Sequence, residues 1–211
     1  MTEVSKMKKL FVCTVPMLDK NQLKDLDYQN EKGEFMKKSA FPSIVLLDKY
    51  IDENDESEII ISTVRDDCEN STVNYERFLG ELRSLSEEKN VNLVVSKEIT
   101  LPHNESKVKN LTIFSELMEL YSQKENCKLY IDMTYGTKIT SAEVFASLNF
   151  ADTKGLNIEE LCYGFYDHSI KENDIGVYYS IRYVWDLVSL INTSSKFMNS
   201  DKLETLIRNL I

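Results

Sequence analysis

Glycine, proline and histidine are scarce in this chain: 211 residues carry 6 Gly, 3 Pro and 2 His. So few glycines and prolines exclude a linker-rich or low-complexity chain, and 42% hydrophobic residues suffice for one large globular domain with a substantial core. The two histidines, His103 and His168, leave little material for a histidine-rich metal centre or a general base. The four cysteines, Cys13, Cys68, Cys127 and Cys162, lack C-x-x-C spacing, so neither a zinc site nor a disulfide scaffold is expected. No glycine-rich G-x-G-x-x-G follows the first apolar run, and G-x4-G-K-[ST] is absent. An ordinary dinucleotide or P-loop enzyme is thereby disfavoured, and no metal or cofactor is called for. No apolar run approaches the roughly 18–20 residues of a membrane helix, and the polar N-terminus lacks a secretory h-region. A cytoplasmic protein that does not engage membranes is expected. Positive charge is also short. The formal net charge of −10 opposes long nucleic acids, whose binding rests on phosphate contacts. A small polyanion in a locally positive pocket remains open.

What is present is an alternation of apolar runs and helical periods. Strands are predicted over residues 9–16, 58–64, 91–95, 128–133, 161–166 and 177–183, several of them continuous apolar stretches. Helices are predicted over 42–52, 74–90, 107–123 and 141–152, with a further helical pattern from 185 to 211. Residues 17–41 have no clear period and read as a functional loop, a lid over the rim, or a loop holding a short helix. The alternation implies an α/β fold: a doubly wound, mostly parallel sheet of about six strands with a C-terminal helical segment. Residues 1–184 form the ligand-binding domain, and 185–211 a helical dimerisation or linker segment. In such sheets ligands sit beyond the carboxyl ends of the strands.

The stretch Cys127–Ser141, CKLYIDMTYGTKITS, carries the most chemistry. A buried strand ends in Thr134, Tyr135, Gly136, Thr137 and Lys138, and a helix start follows. Unpaired N–H groups and a helix dipole then converge on one spot, which suits an anion. Lys138 reads as a cation for phosphate or sugar, and as a candidate for stabilising charge in catalysis; otherwise it is a solvated lysine placed against the helix dipole. Gly136 permits close backbone approach or simply makes a turn. Thr134 and Thr137 offer hydroxyls to a ligand or to the turn itself. Asp132, inside the strand, is expected to hold the turn through backbone N–H groups rather than to catalyse. Thr14, Val15 and Pro16 end the first strand on the same rim and are ligand candidates. Arg65, following the second strand, would meet phosphate or pair with Asp66 or Asp67. Tyr163 to Tyr166 would stack a base or pack the core. His168, the one histidine near a strand end, reads as a candidate base or, with its neighbours, as part of an exposed loop. Trp185, Leu187, Leu190 and Ile191 form the apolar face of a packing helix, and the amphipathic end, 201–211, is expected to pack on a partner.

Three segments, LYIDMTYGTKITSAEVFASLNF, IEELCYGFYDHS and VWDLVSLINTSSKFMNSDKLETLIRNLI, resemble the CARF domain of CRISPR-associated proteins. The pattern of that family is a strand ending in Asp-x-Thr-x-Gly-x-[Arg/Lys], a helix, a strand with Tyr-Gly, and a closing aromatic-aspartate helix. Here these are Asp132, Thr134, Gly136 and Lys138, then Tyr163-Gly164, then Trp185-Asp186-Leu187. Tyr135 stands where relatives often carry His, and Lys138 where Arg is also common. The resemblance spans the chain, but its motifs lie in the second half. It implies a Rossmann-like homodimer that binds a cyclic oligoadenylate, with tetra- favoured over hexa- or tri-adenylate, in type III CRISPR antiviral defence. Such a sensor regulates an attached or partner effector. The chain has no HEPN-type Arg-x4–6-His motif, so it is expected to be either a stand-alone sensor or the sensor half of a longer protein whose fused effector is absent from this chain. The alternative implied by the same family is a metal-independent ring nuclease that cleaves the ring by 2′-OH attack in the same pocket.

Overall fold

The computed structural model describes residues 7–104, 106–124, 126–166, 174–195 and 202. Its elements run β1 (Lys8–Thr14), β2 (Leu26–Gln29), β3 (Phe35–Ser39), α1 (Pro42–Tyr50), β4 (Glu58–Asp66), α2 (Glu69–Lys89) and β5 (Val95–Leu101). They continue with α3 (Lys107–Ser122), β6 (Cys127–Asp132), α4 (Lys138–Thr153), β7 (Asn157–Tyr166), β8 (Ile175–Ser180) and α5 (Arg182–Ser194). All eight strands join one mixed sheet in the order β3-β2-β8-β7-β6-β1-β4-β5. The strands from β7 to β5 are mutually parallel. Beyond them β8 runs antiparallel to β7, β2 parallel to β8, and β3 antiparallel to β2. The fold is α/β, and no helix among the described residues is long and apolar enough to cross a membrane.

The apolar runs follow from burial on both faces of the sheet. Along β1, Leu10 and Val12 join one core with α3, α4 and Trp185 of α5. Their neighbours Phe11 and Cys13 join the other core, with α1 and α2. The crossover helices change face between β5 and β6. Strand order therefore reverses between β1 and β6, the place where such sheets carry their ligand at the carboxyl ends of the strands.

Eight strands replace the six expected, and the additions explain the misreading of residues 17–41. That segment is neither a plain loop nor a helix; it contains the β2–β3 hairpin at the sheet edge. Its strands, LDYQ and FMKKS, are short, the first half-buried and the second mostly exposed, and their polar residues give them the composition of loops. The strand expected over 91–95 instead starts at Val95 and runs to Leu101. Asn90 closes α2 in the left-handed conformation, and Val91 N bonds back to Ser86 O at 3.2 Å. Residues 91–94 are thus spent on ending the helix. α2 begins at Glu69 rather than 74. α4 begins at Lys138 rather than 141, because Thr137 is its cap. β8 ends at Ser180, and α5 starts at Arg182. His168 and the expected helical end, 196–211 apart from 202, lie outside the described residues.

Candidate functional site

β6 delivers Asp132 to the rim of the sheet, where the carboxylate is completely buried. Its Oδ1 accepts the Thr134 N–H at 2.9 Å and the Thr134 hydroxyl as well. The Thr134 oxygen in turn accepts Gly164 N–H at 2.8 Å from β7. Tyr135 N–H donates to Thr14 Oγ1 at 3.1 Å, and the Tyr135 phenol donates to Ala40 O at 3.0 Å. The turn is therefore clamped to three neighbouring segments before α4 begins. Gly136 sits at φ +107°, a region open to glycine, and a Cβ there would come within 3.0 Å of Thr140 Cγ2. Thr137 caps α4 by accepting Thr140 N–H at 3.2 Å. Lys138, the first helical residue, is exposed and makes no ion pair among the described residues.

Burial pushes the Asp132 carboxyl up to about 6, against the Thr134 hydrogen bonds and the influence of the nearby Ser43 and Thr14 hydroxyls, which lower it. Its Oδ2 has no partner in hydrogen-bond geometry. The thiols of Cys13 and Cys162 are raised well above the ordinary range, first by burial and then by the Asp132 charge, so they are unreactive at neutral pH.

Beside the turn lies a cavity of about 290 Å³, lined by Thr134, Tyr135, Gly164, Tyr28, a Tyr163–Tyr166 wall and the segment around Lys24. Tyr163 and Phe165 are 41% and 43% exposed, so they face outward rather than filling the core as one sequence reading had them. Lys24 reaches Asp174 at 3.2 Å and lies 5.8 Å from the Tyr166 ring centroid. No protein-family model and no curated protein matches this chain.

Of the residues picked out by sequence, Thr14, Thr134, Tyr135, Gly136, Thr137 and Lys138 come together. Val15 and Pro16 adjoin them but are buried: Val15 N–H bonds Val64 O at 3.0 Å, and Pro16 O accepts Asn74 Nδ2 at 3.0 Å. Arg65 lies within β4 rather than after it. It pairs with Glu98 of β5 at 2.5 Å instead of Asp66 or Asp67, and packs over Tyr75. Asp66 is taken by Lys109 in a buried ion pair.

Sequence reasoning missed Tyr28, Lys24 and the residues that hold the segment after β1. Asn70, Asn74 and Arg77, on one face of α2, donate to the carbonyls of Met17, of Pro16 and Leu18, and of Leu23 respectively. Residues 16–23 are thus strapped to a helix rather than hung as a lid. The spacing of those three polar residues, i, i+4 and i+7 on a helix, was the only signal in the sequence.

Proposed function

We propose that this chain is a homodimeric CARF-type sensor of a cyclic oligoadenylate, acting in the cytoplasm in type III CRISPR antiviral defence and regulating an attached or partner effector. The observation that carries this reading is the pair of helix N-termini at the rim. α3 and α4 lie side by side and both start beyond the carboxyl ends of the strands. Their first residues are Lys107 and Lys138, their caps are Ser106 and Thr137, and neither first turn holds an acid. A lysine is disfavoured at a helix N-terminus by the dipole, so two adjacent ones mark a place built to meet negative charge. In a chain of net charge −10 that place suits a compact ring of phosphates and not a long nucleic acid.

Three further features support the same reading. The parallel strands follow the order third, second, first, fourth, fifth, as in a Rossmann-like sheet, and the turn sits at its switch point. The aromatic cavity beside Thr134 has the size and lining to hold a base. Exposed Val108, Leu111 and Ile139 cover the outer faces of α3 and α4 next to the turn. A second copy docked there would set two Lys138 turns against one ring, each subunit supplying few cations.

Isothermal titration with cyclic tri-, tetra- and hexa-adenylate tests the proposal, followed by chromatography of the recovered nucleotide. One intact ring per two chains is the expected result. Lys138→Ala should weaken binding by at least about tenfold, the loss of one charge-assisted contact, without lowering the melting temperature. Recovery of linear products would reassign the pocket to a ring nuclease. Failure of every ring to bind refutes the reading.

A further inference from the structure

Three carboxylates are deeply buried, and two of them are matched by a cation. Asp66 meets Lys109, and Glu160 meets Lys49 at 2.9 Å while also accepting from Tyr50 and Ser180. Asp132 makes no ion pair with any described residue, yet it is the most buried of the three. The groups that face it are the Cys13 thiol from β1, the Cys162 thiol from β7, with Sγ 3.9 Å from Oδ1, and the Ser43 hydroxyl from α1. Thr14 and the phenols of Tyr28 and Tyr135 complete the set. Burial holds those thiols and phenols neutral. Charges act on these neighbours in turn: Glu81 of α2 on both tyrosines, with Arg77 at 3.7 Å from it, and Glu160 on Cys162. A buried carboxylate without a cation favours its neutral form.

We propose that Asp132 is a proton-linked latch beneath the turn: protonation of its carboxyl and binding of an anion at residues 134–138 favour each other. The coupling rests on the reading of that turn as an anion site. The neutral acid keeps Oδ1 as acceptor for Thr134 N–H, so the turn remains clamped, and it places a donor on Oδ2, which has no hydrogen-bond partner. What disappears is a negative charge under the N-terminus of α4. The ionised form holds the same turn but repels the ligand. Linkage fixes the sign: an anion at the turn raises the carboxyl further above its already elevated position, so binding takes up a proton near neutral pH and strengthens as pH falls.

The test uses the full chain and two probes that do not themselves titrate in this range, cyclic tetra-adenylate and sulfate. The side-chain carboxyl carbon of Asp132 is followed by NMR across pH in the unsubstituted protein. Its midpoint is expected near 6 and should move up when sulfate is added. Sulfate affinity should be about tenfold higher near pH 5.5 than near pH 7.5, the effect of one unit charge at short range in a partly dry site. In Asp132→Asn it should not vary. A carboxyl that titrates in the ordinary range of aspartate overturns the latch, as does an Asn variant that keeps the pH dependence, or absence of sulfate binding at both pH values. If sulfate behaves as expected and cyclic tetra-adenylate does not bind, the latch stands and the cyclic-nucleotide reading falls.

Discussion

Gly164→Ala tests the packing that holds the candidate site together. A Cβ at this position would lie 2.2 Å from Pro42 Cγ, 2.9 Å from Pro42 Cβ and 3.3 Å from Tyr28 Cε1. Neither neighbour can give way. Pro42 is a closed ring in the fully buried first turn of α1. Tyr28 is wedged against Gly176 as well, where a Cβ would meet its ring at 2.6 Å. β7 must therefore shift, and with it the Gly164 N–H that bonds Thr134 Oγ1. Overpacking a rigid core costs about 1–3 kcal/mol and the lost hydrogen bond about 1 kcal/mol, so a destabilisation of about 3 kcal/mol is expected. Urea unfolding followed by the fluorescence of Trp185, the single tryptophan and a core residue, reads this directly. With a slope of about 2 kcal/mol/M the midpoint should fall by roughly 1.5 M. Pro42→Ala removes the atom in worst contact and alone should cost up to about 1 kcal/mol through the entropy of the unfolded chain. The double variant should be more stable than the sum of the two by at least about 1 kcal/mol. An unchanged midpoint for Gly164→Ala, or strict additivity in the double variant, would refute the reasoning.

Lys109→Ala leaves the Asp66 carboxylate buried without its ammonium partner and should cost about 3–5 kcal/mol in urea unfolding. Pairing Lys109→Met with Asp66→Asn should recover much of that loss; equal instability of single and double variants would contradict the account. Asp132 also gives a pH signature in the absence of ligand. Its carboxyl stands at about 6 in the fold against 3.8 unfolded, so over that window the folded chain holds a proton that the unfolded chain releases. Stability contributed by this group is therefore present below about pH 4 and declines as pH rises to about 6, by about 3 kcal/mol in total. Thermal unfolding of Asp132→Asn should lack this slope, and the difference between the two pH profiles isolates it.

The sequence by itself determined the elements whose burial is uniform or whose signals are local. The central strands β1, β4, β6 and β7 are covered by helices on both faces, so they read as apolar runs whatever their neighbours. The turn after β6 announces itself through one glycine, three hydroxyl-bearing threonines flanking it and a lysine, all within a few residues. That was enough to bring Thr134, Tyr135, Gly136, Thr137 and Lys138 together, with Thr14 joining from β1. Tertiary structure decided everything that depends on a partner far along the chain. β3 and β5 are the edge strands and largely exposed, and β2 is only four residues long, so their composition mimics a loop until the sheet gives them strands to pair with. Arg65 could be assigned to its role only once β5 placed Glu98 beside it. Gly164 enters the sequence reading only as half of the Tyr163-Gly164 pair; the approach of Pro42 and Tyr28 shows why a side chain is forbidden there. The charge state of Asp132 belongs to the same class, because desolvation is a property of the whole fold around a residue and leaves no mark in the residues next to it.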